Sequence, residues 1–472
     1  MDFKNDGLAP EKYTVLNPLA EALVLTTNSK NRNIILGALD LRGPLDLSAL
    51  RATVNSIGDF FPQLKASLTE IKSKGRRYLV WDHRQSLEIP LVISSLGESN
   101  STGYGFEALL KRVEQSLTRE RNPFEEPASE FHLLRFGGGD RHILALILGH
   151  RAADAITLAE IVKVFMSNYH ELVTGETSIF SGYPSVASTA YKRKIRKKNS
   201  SMRDYWDTFG QAMIPYQRCA IPEGNGVLNQ PGEHYVKRLL SEDRTNSIAM
   251  DCARMRVPFV DYLMAGMALA IDRWNDARNK ESSTLSAALT VNMQGRFSGA
   301  DGPNNDSVLY FQFSRDQRSS LKKLARHVGR SRIRLFRDQM DIKYFKGMTK
   351  LNNFLRLLPF KLRQKAYLEI LERHQTSFAL GFMGVLWPES NGRRISGDSY
   401  LTSAGSLNIV EAHAMAYRIV SRTPLYLAVY FFRKKLNLML SAAAWKFTNE
   451  EAKAFMDLVI DVLDGQPPEE FH

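Results

Sequence analysis

Apolar and polar residues alternate along NRNIILGALDLRG (32–43), predicting a strand that ends in a turn at Gly43 and Pro44. Helical spacing follows in 46–61, with Asp46 or Ser48 placed as the cap. RRYLVWD (76–82) has strand character, and residues 105–120 form a strongly amphipathic helical pattern. FHLLRF (131–136) and HILALILG (142–149) are expected to be strands joined by the glycine turn GGGD. Residues 155–175 predict a helix stopped by Gly175 at its C′ position.

The periodicity weakens over 176–235, which is rich in Ser, Gly, Pro and basic residues; some helix is expected around SMRDYWDTFGQAM (201–213). The pattern then restarts. A helix is predicted over 257–276 with Pro258 in its first turn, a buried strand over 283–297, an alternating strand over 306–316 and a basic amphipathic helix over 319–340. A hairpin over 423–445 turns at Arg433–Lys435. A final helix over 448–465 opens with a capping box of Thr448 and Glu451. The chain therefore divides into two similar α/β halves, 1–178 and 236–472, joined by a crossover, 179–235.

Composition narrows the function. The chain has 472 residues, 44% hydrophobic and 24% charged, an ordinary globular mixture large enough to need no covalent staples. The two cysteines, Cys219 and Cys252, lack CxxC spacing, which argues against a disulfide framework or a cysteine metal site. MDFKNDGLAP carries no apolar core of a secretory signal, and LYLAVYFF is too short to span a bilayer, so a cytoplasmic protein without a transmembrane segment is expected. The net charge of +13 draws anions to the surface. YKRKIRKKN (191–199) is the densest basic run, but no nucleic-acid recognition signature accompanies it, and nucleic acid is not the expected partner.

The chain has no P-loop, GxGxxG, HExxH or GxSxG, and its ten histidines do not cluster at ligand spacing, so no metal is expected. A Gly-Asp-Ser triplet at 397–399 is too short to carry weight. The stretch ILALILGHRAADAITLAEIVKVF (143–165) stands apart: an apolar strand ends in His150, and Asp154 follows four residues later. Two readings are open. His150 is a satisfied core histidine, the commoner role for a lone His beside an apolar strand, or a general base in a loop that Asp154 holds rigid.

The segment Gly149-His150-Arg151-Ala152-Ala153-Asp154-Ala155 resembles the His-His-x3-Asp-Gly motif of the CoA-dependent acyltransferase superfamily. That group includes chloramphenicol acetyltransferase, condensation domains of peptide synthetases, wax ester synthases, and plant and polyketide-associated acyltransferases. The second His and the Asp match; Gly149 and Ala155 depart. Further segments are similar in order: LDLRGPLDLSALRATVNSIGDFFPQLKASL (39–68), RNPFEEPASEFHLLRFGGGDRHILALILGH (121–150), HELVTG (170–175), ALTVNMQGRF (288–297) and LGFMG (380–384). In the last, Gly381 and Phe382 occupy the places of a Ser and an Asn.

The resemblance implies an α/β fold of two chloramphenicol acetyltransferase-like subdomains, each a mixed sheet with flanking helices, and a tunnel between them. It implies His150 as general base, Asp154 as a structural residue paired with Arg296 of the second half, and the backbone at Ala155 as oxyanion donor. Gly149, Asn292, Gly381 and Phe382 are expected along the tunnel; Phe382 would narrow it, and Ala155 would be strained if the turn needed a left-handed residue. No cofactor would be permanently bound. The donor would be acyl-CoA or a phosphopantetheinyl thioester on a carrier protein acting in trans, and the acceptor a hydroxyl or amine. The alternative is a non-catalytic relative that binds a carrier protein or a synthetase partner.

Overall fold

A computed structural model of the chain describes residues 12–28, 32–96, 105–119, 121–137, 139–177, 209–228, 230, 232–293, 304–388, 401–416 and 422–465. In chain order the first half holds β1 (Tyr13–Val15), α1 (Pro18–Thr26), β2 (Ile34–Arg42), α2 (Leu47–Phe60), β3 (Ala66–Ser73), β4 (Arg76–Ser86), β5 (Leu91–Leu96), α3 (Gly105–Thr118), β6 (Ser129–Phe136), β7 (Arg141–Gly149) and α4 (Ala155–Thr174). The second holds β8 (Glu233–Leu239), α5 (Glu242–Met255), α6 (Phe259–Asp276), β9 (Thr284–Asn292), β10 (Asp306–Ser314), α7 (Leu321–Arg337), α8 (Met340–Leu355) and α9 (Phe360–Glu372). β11 (Phe378–Val385), β12 (Ser403–Ala404), β13 (Leu407–Ala416), β14 (Leu425–Phe432), β15 (Lys435–Ala443) and α10 (Asn449–Leu463) complete it.

Local chemistry accounts for many of these boundaries. Asp46 caps α2 by accepting from the amides of Ser48 and Ala49. Thr448 and Glu451 form the reciprocal capping box at the start of α10. Gly175 ends α4 at φ 73°. The β14–β15 turn places both Arg433 (φ 49°) and Lys434 (φ 58°) in the left-handed region, as a two-residue hairpin of matching twist requires. The basic helix expected over 319–340 is α7, which ends at Arg337; Gln339, left-handed at φ 56°, separates it from α8, and α8 and α9, which begins after Pro359, lie outside the expected elements.

Two six-stranded mixed sheets form the halves, in the orders β12-β13-β2-β7-β6-β5 and β10-β9-β11-β14-β15-β8, beside a small sheet β1-β4-β3. The first sheet is completed from the second half of the chain: β13 lies antiparallel to β2. β7 is buried on both faces. Leu144, Leu146 and Leu148 enter one core with α2 and α4, while Ile143, Ala145 and Ile147 enter another with α3. That double burial makes β7 a rigid rail that delivers its last residues to the junction of the halves. The basic run 191–199 and the triplet 397–399 lie outside the described residues.

Candidate active site between the halves

The loop after β7 is held by its own backbone. The amide of His150 donates to the Asn33 carbonyl (2.7 Å), and that of Ala152 to the Gly149 carbonyl (2.8 Å). Asp154, fully buried, is the N-cap of α4: one carboxylate oxygen accepts from the Thr157 amide (2.7 Å) and the other from the Asn305 amide (3.0 Å) of the second half. The aspartate thus clamps the loop to its helix and to the opposite half at once. Asp154→Ala removes the cap, about 1 kcal/mol, and orphans a buried amide, about 1–3 kcal/mol. A loss of roughly 2–4 kcal/mol is expected in chemical denaturation.

His150 is 5% exposed and borders a cavity of about 470 Å³ between the halves. Its Nδ1 lies 2.9 Å from the Ala153 carbonyl. Asn304 Nδ2 lies 3.2 Å from the same nitrogen, but the Ala153 carbonyl can only accept, so the shorter contact assigns the proton to Nδ1 and leaves Nε2 its lone pair. Burial pushes the imidazole below its ordinary 6.5, partly opposed by the backbone bonds and the charge of Asp154. Asn304 donates to the His150 carbonyl and fixes the loop from the far half.

The cavity wall is mainly apolar. Leu19, Ala22 and Leu23 of α1, Met340 and Met348 of α8 and Leu371 of α9 contribute to it. Polar groups are few. Asp306, at the start of β10, has its carboxyl raised well above the usual carboxylate range by burial and by the charge of Asp154, which favours the protonated form that donates a hydrogen bond. Tyr310 Oη lies 2.8 Å from His374 Nε2 and 3.3 Å from Tyr344 Oη; burial lowers His374 to about 4.

The expected tunnel residues are placed differently. Gly149 borders a separate small cavity, where a Cβ would lie 2.6 Å from Arg151 Nη1. Asn292 pairs across the β9–β10 ladder with Asp306, and it is Asp306 that reaches the large cavity. Gly381 leaves room for the Tyr426 hydroxyl, which would sit 2.2 Å from a Cβ there, and Tyr426 takes the place on the wall. Phe382 turns into the core of the second half, with ring centroids 6.1 Å from both Phe259 and Phe431. It therefore does not narrow the cavity: adjacent strand residues face opposite sides of the sheet. Ala155 is the first residue of α4 and is not among the residues with positive φ, so alanine costs no strain there. Arg296 lies outside the described residues.

Asp306, Tyr310, Tyr344 and His374 escaped the reading of the sequence. The signal available was a carboxylate opening an otherwise apolar strand, DSVLYFQF. Among the described residues no group of three or more His, Cys, Asp or Glu is placed to hold a metal, and no helix is long and apolar enough to cross a membrane.

No family model and no curated protein matches the chain. Solved structures do. The first condensation domain of the CDA synthetase is 13% identical with a TM-score of 0.68, covering 97% of this chain and 96% of that one. The trichothecene 15-O-acetyltransferase from Fusarium sporotrichioides is 10% identical with a TM-score of 0.68, over 98% and 96%. The starter condensation domain of rhizomide synthetase, in a mutant bound to C8-CoA, is 13% identical with a TM-score of 0.64, over 96% and 95%. The chain has the two-subdomain, chloramphenicol acetyltransferase-like fold of condensation domains and CoA-dependent acyltransferases.

Proposed function

We propose that this protein moves an acyl group from a thioester donor, acyl-CoA or an acyl-carrier protein, to a hydroxyl or amine acceptor, with His150 as general base. One observation carries the reading: a buried, neutral imidazole, locked by Nδ1–H to the Ala153 carbonyl, borders a large apolar cavity at the junction of two acyltransferase-like halves. A satisfied core histidine would have no such cavity against it. The fold is shared with an O-acetyltransferase and with a condensation domain that holds C8-CoA, and both support thioester chemistry at this junction. In chain order the proposed units are 1–178, which carries His150, and 236–472, with 179–235 crossing between them.

In this reading His150 Nε2 takes the proton of the acceptor as its oxygen or nitrogen attacks the thioester carbonyl. The C–S bond breaks as the tetrahedral centre collapses, and the thiolate leaves with the proton that His150 returns. The developing oxyanion would be met by backbone amides at the start of α4, near Ala155, and by Asp306, whose carboxyl burial raises well above the usual range. Asp154 acts through position alone, and any ion pair with Arg296 would add to the two amides it already holds. The apolar wall favours an acyl chain or an acceptor with an apolar body.

The test is acceptor-dependent thiol release from a panel of acyl-CoAs and acyl-carrier proteins offered with pooled alcohols and amines, with the acylated product identified by mass. The pH dependence has a fixed sign. The base works only when neutral, and burial depresses its pKa, so the acid limb of kcat/KM is expected below 6.5. A limb centred above 6.5 would contradict the buried base. Tight carrier-protein binding without any turnover would favour the non-catalytic alternative.

A further inference from the structure

Consecutive residues of the β7–α4 loop face two cavities. His150 borders the large one; Gly149 and Arg151 border a small one of about 20 Å³, completed by Arg32, Arg119 and Arg121 among others. Four guanidinium groups meet there. Arg119 pairs with Glu126 (2.5 Å) and Glu130 (3.4 Å), and Arg121 with Glu130 (2.7 Å). Glu130 is further engaged by His132 (2.6 Å) and Ser116 (2.7 Å). Among the described residues these two carboxylates therefore pair with two of the four arginines, Arg119 and Arg121.

Arg151 is the anomaly. It is 8% exposed, and its Nε and Nη2 are buried without a hydrogen-bond partner; no carboxylate among the described residues pairs with it. Arg121 Nε and Arg32 Nη1 are buried and unpartnered as well. An unpaired buried guanidinium is costly, and a long arginine side chain is free to swing out to water unless something holds it. Burial and the neighbouring Arg121 push Arg151 down to about 10, partly opposed by the charge of Glu126. A side chain at 149 would collide with Arg151 Nη1, so the glycine in place of the motif's first histidine makes room for this guanidinium.

We propose that Arg32, Arg121 and Arg151 form a binding site for a tetrahedral oxyanion, a phosphate or phosphate ester, one residue from His150. Four buried N–H donors without a partner, on three arginines that line one cavity, suit such a group, since forked guanidinium donors match its oxygens. The room is that of about one water, so the arginine side chains must spread to seat a phosphate, and a whole nucleotide is excluded. The phosphate would be free in solution or carried on the pantetheine arm of a thioester donor. Binding can be measured whether or not the acyl-transfer reading holds.

The experiment compares the whole protein with Arg151→Gln and Arg32→Gln in inorganic phosphate and in chloride of equal ionic strength. Phosphate is expected to raise the parent's Tm by about 3 °C or more at saturation. Each substitution is expected to weaken phosphate binding about 10- to 100-fold by calorimetry, the worth of a charge-assisted hydrogen bond. Competition then separates the sources. Displacement of phosphate by an acyl-phosphopantetheine but not by the same acyl-pantetheine supports the donor arm; displacement by neither supports free phosphate. Arg32 lies on a partly exposed loop, so its variant keeps the test open if Arg151→Gln does not fold. The site is overturned if phosphate shifts the parent no more than chloride does, or if both variants bind it as the parent does.

Discussion

Replacing His150 with alanine is expected to lower acyl transfer by about 10²–10⁴-fold, the usual worth of a positioned general base, with the fold retained. The retention follows from where the loop gets its shape. Its fixing bonds are backbone bonds to Asn33 and Gly149 and the two amides on the Asp154 carboxylate, none of which uses the imidazole. The side chain contributes Nδ1–H to the Ala153 carbonyl and a 3.2 Å contact with Asn304 Nδ2, which keeps its bond to the His150 carbonyl, and the alanine variant exposes the Ala153 carbonyl to a cavity that already exists. Circular dichroism and Tm close to the parent's, together with the kinetic loss, would separate a chemical role from a packing one.

The largest stability effect is expected at Glu21. This carboxylate of α1, 1% exposed, accepts from Arg363 Nη1 (2.7 Å) and from Arg356 Nε (3.0 Å) and Nη2 (2.5 Å), and Arg363 reaches on to Glu70 of β3 (2.5 Å). The arginines belong to α9 and the end of α8, so the cluster joins the two halves along one side of the large cavity. Glu21→Ala leaves two buried guanidinium groups short of a counter-charge, a loss of about 3–5 kcal/mol. Urea unfolding should show a lower midpoint with an unchanged slope. Because Leu19, Ala22 and Leu23 of the same helix line the cavity, the variant should also raise KM for the acyl donor.

What the sequence discloses follows from the range of each interaction. Asp46, Thr448 with Glu451, Gly175 and the Arg433–Lys434 turn act on neighbours within a few residues, and each is legible from spacing alone. β13 is not. Its pairing with β2 spans most of the chain, and a register shift between Ile409 and Glu411 blurs its alternation. The restart of helix after Gln339 depends on a left-handed residue that is not glycine, and α8 and α9 go unread.

The site divides the same way. His150 and Asp154 are legible because strand, loop and cap are contiguous. The partner of Asp154 from the described part of the second half is the backbone amide of Asn305, which has no side-chain signature. Gly381 and Phe382 stand near the cavity in sequence terms, yet the pleat and the Tyr426 hydroxyl decide what reaches it. Asp306 and the Tyr310–His374 pair are assembled from β10 and the end of α9, a juxtaposition only the fold provides.

The most direct measurement pairs turnover with binding in one preparation: thiol release from acyl-CoA and acyl-carrier donors, and affinity for the carrier protein, in the parent and in His150→Ala. The account predicts acceptor-dependent release by the parent, its loss in the variant, and donor affinity unchanged between the two. Release that persists in His150→Ala, or a parent that binds carrier protein tightly and releases no thiol from any donor, would contradict it.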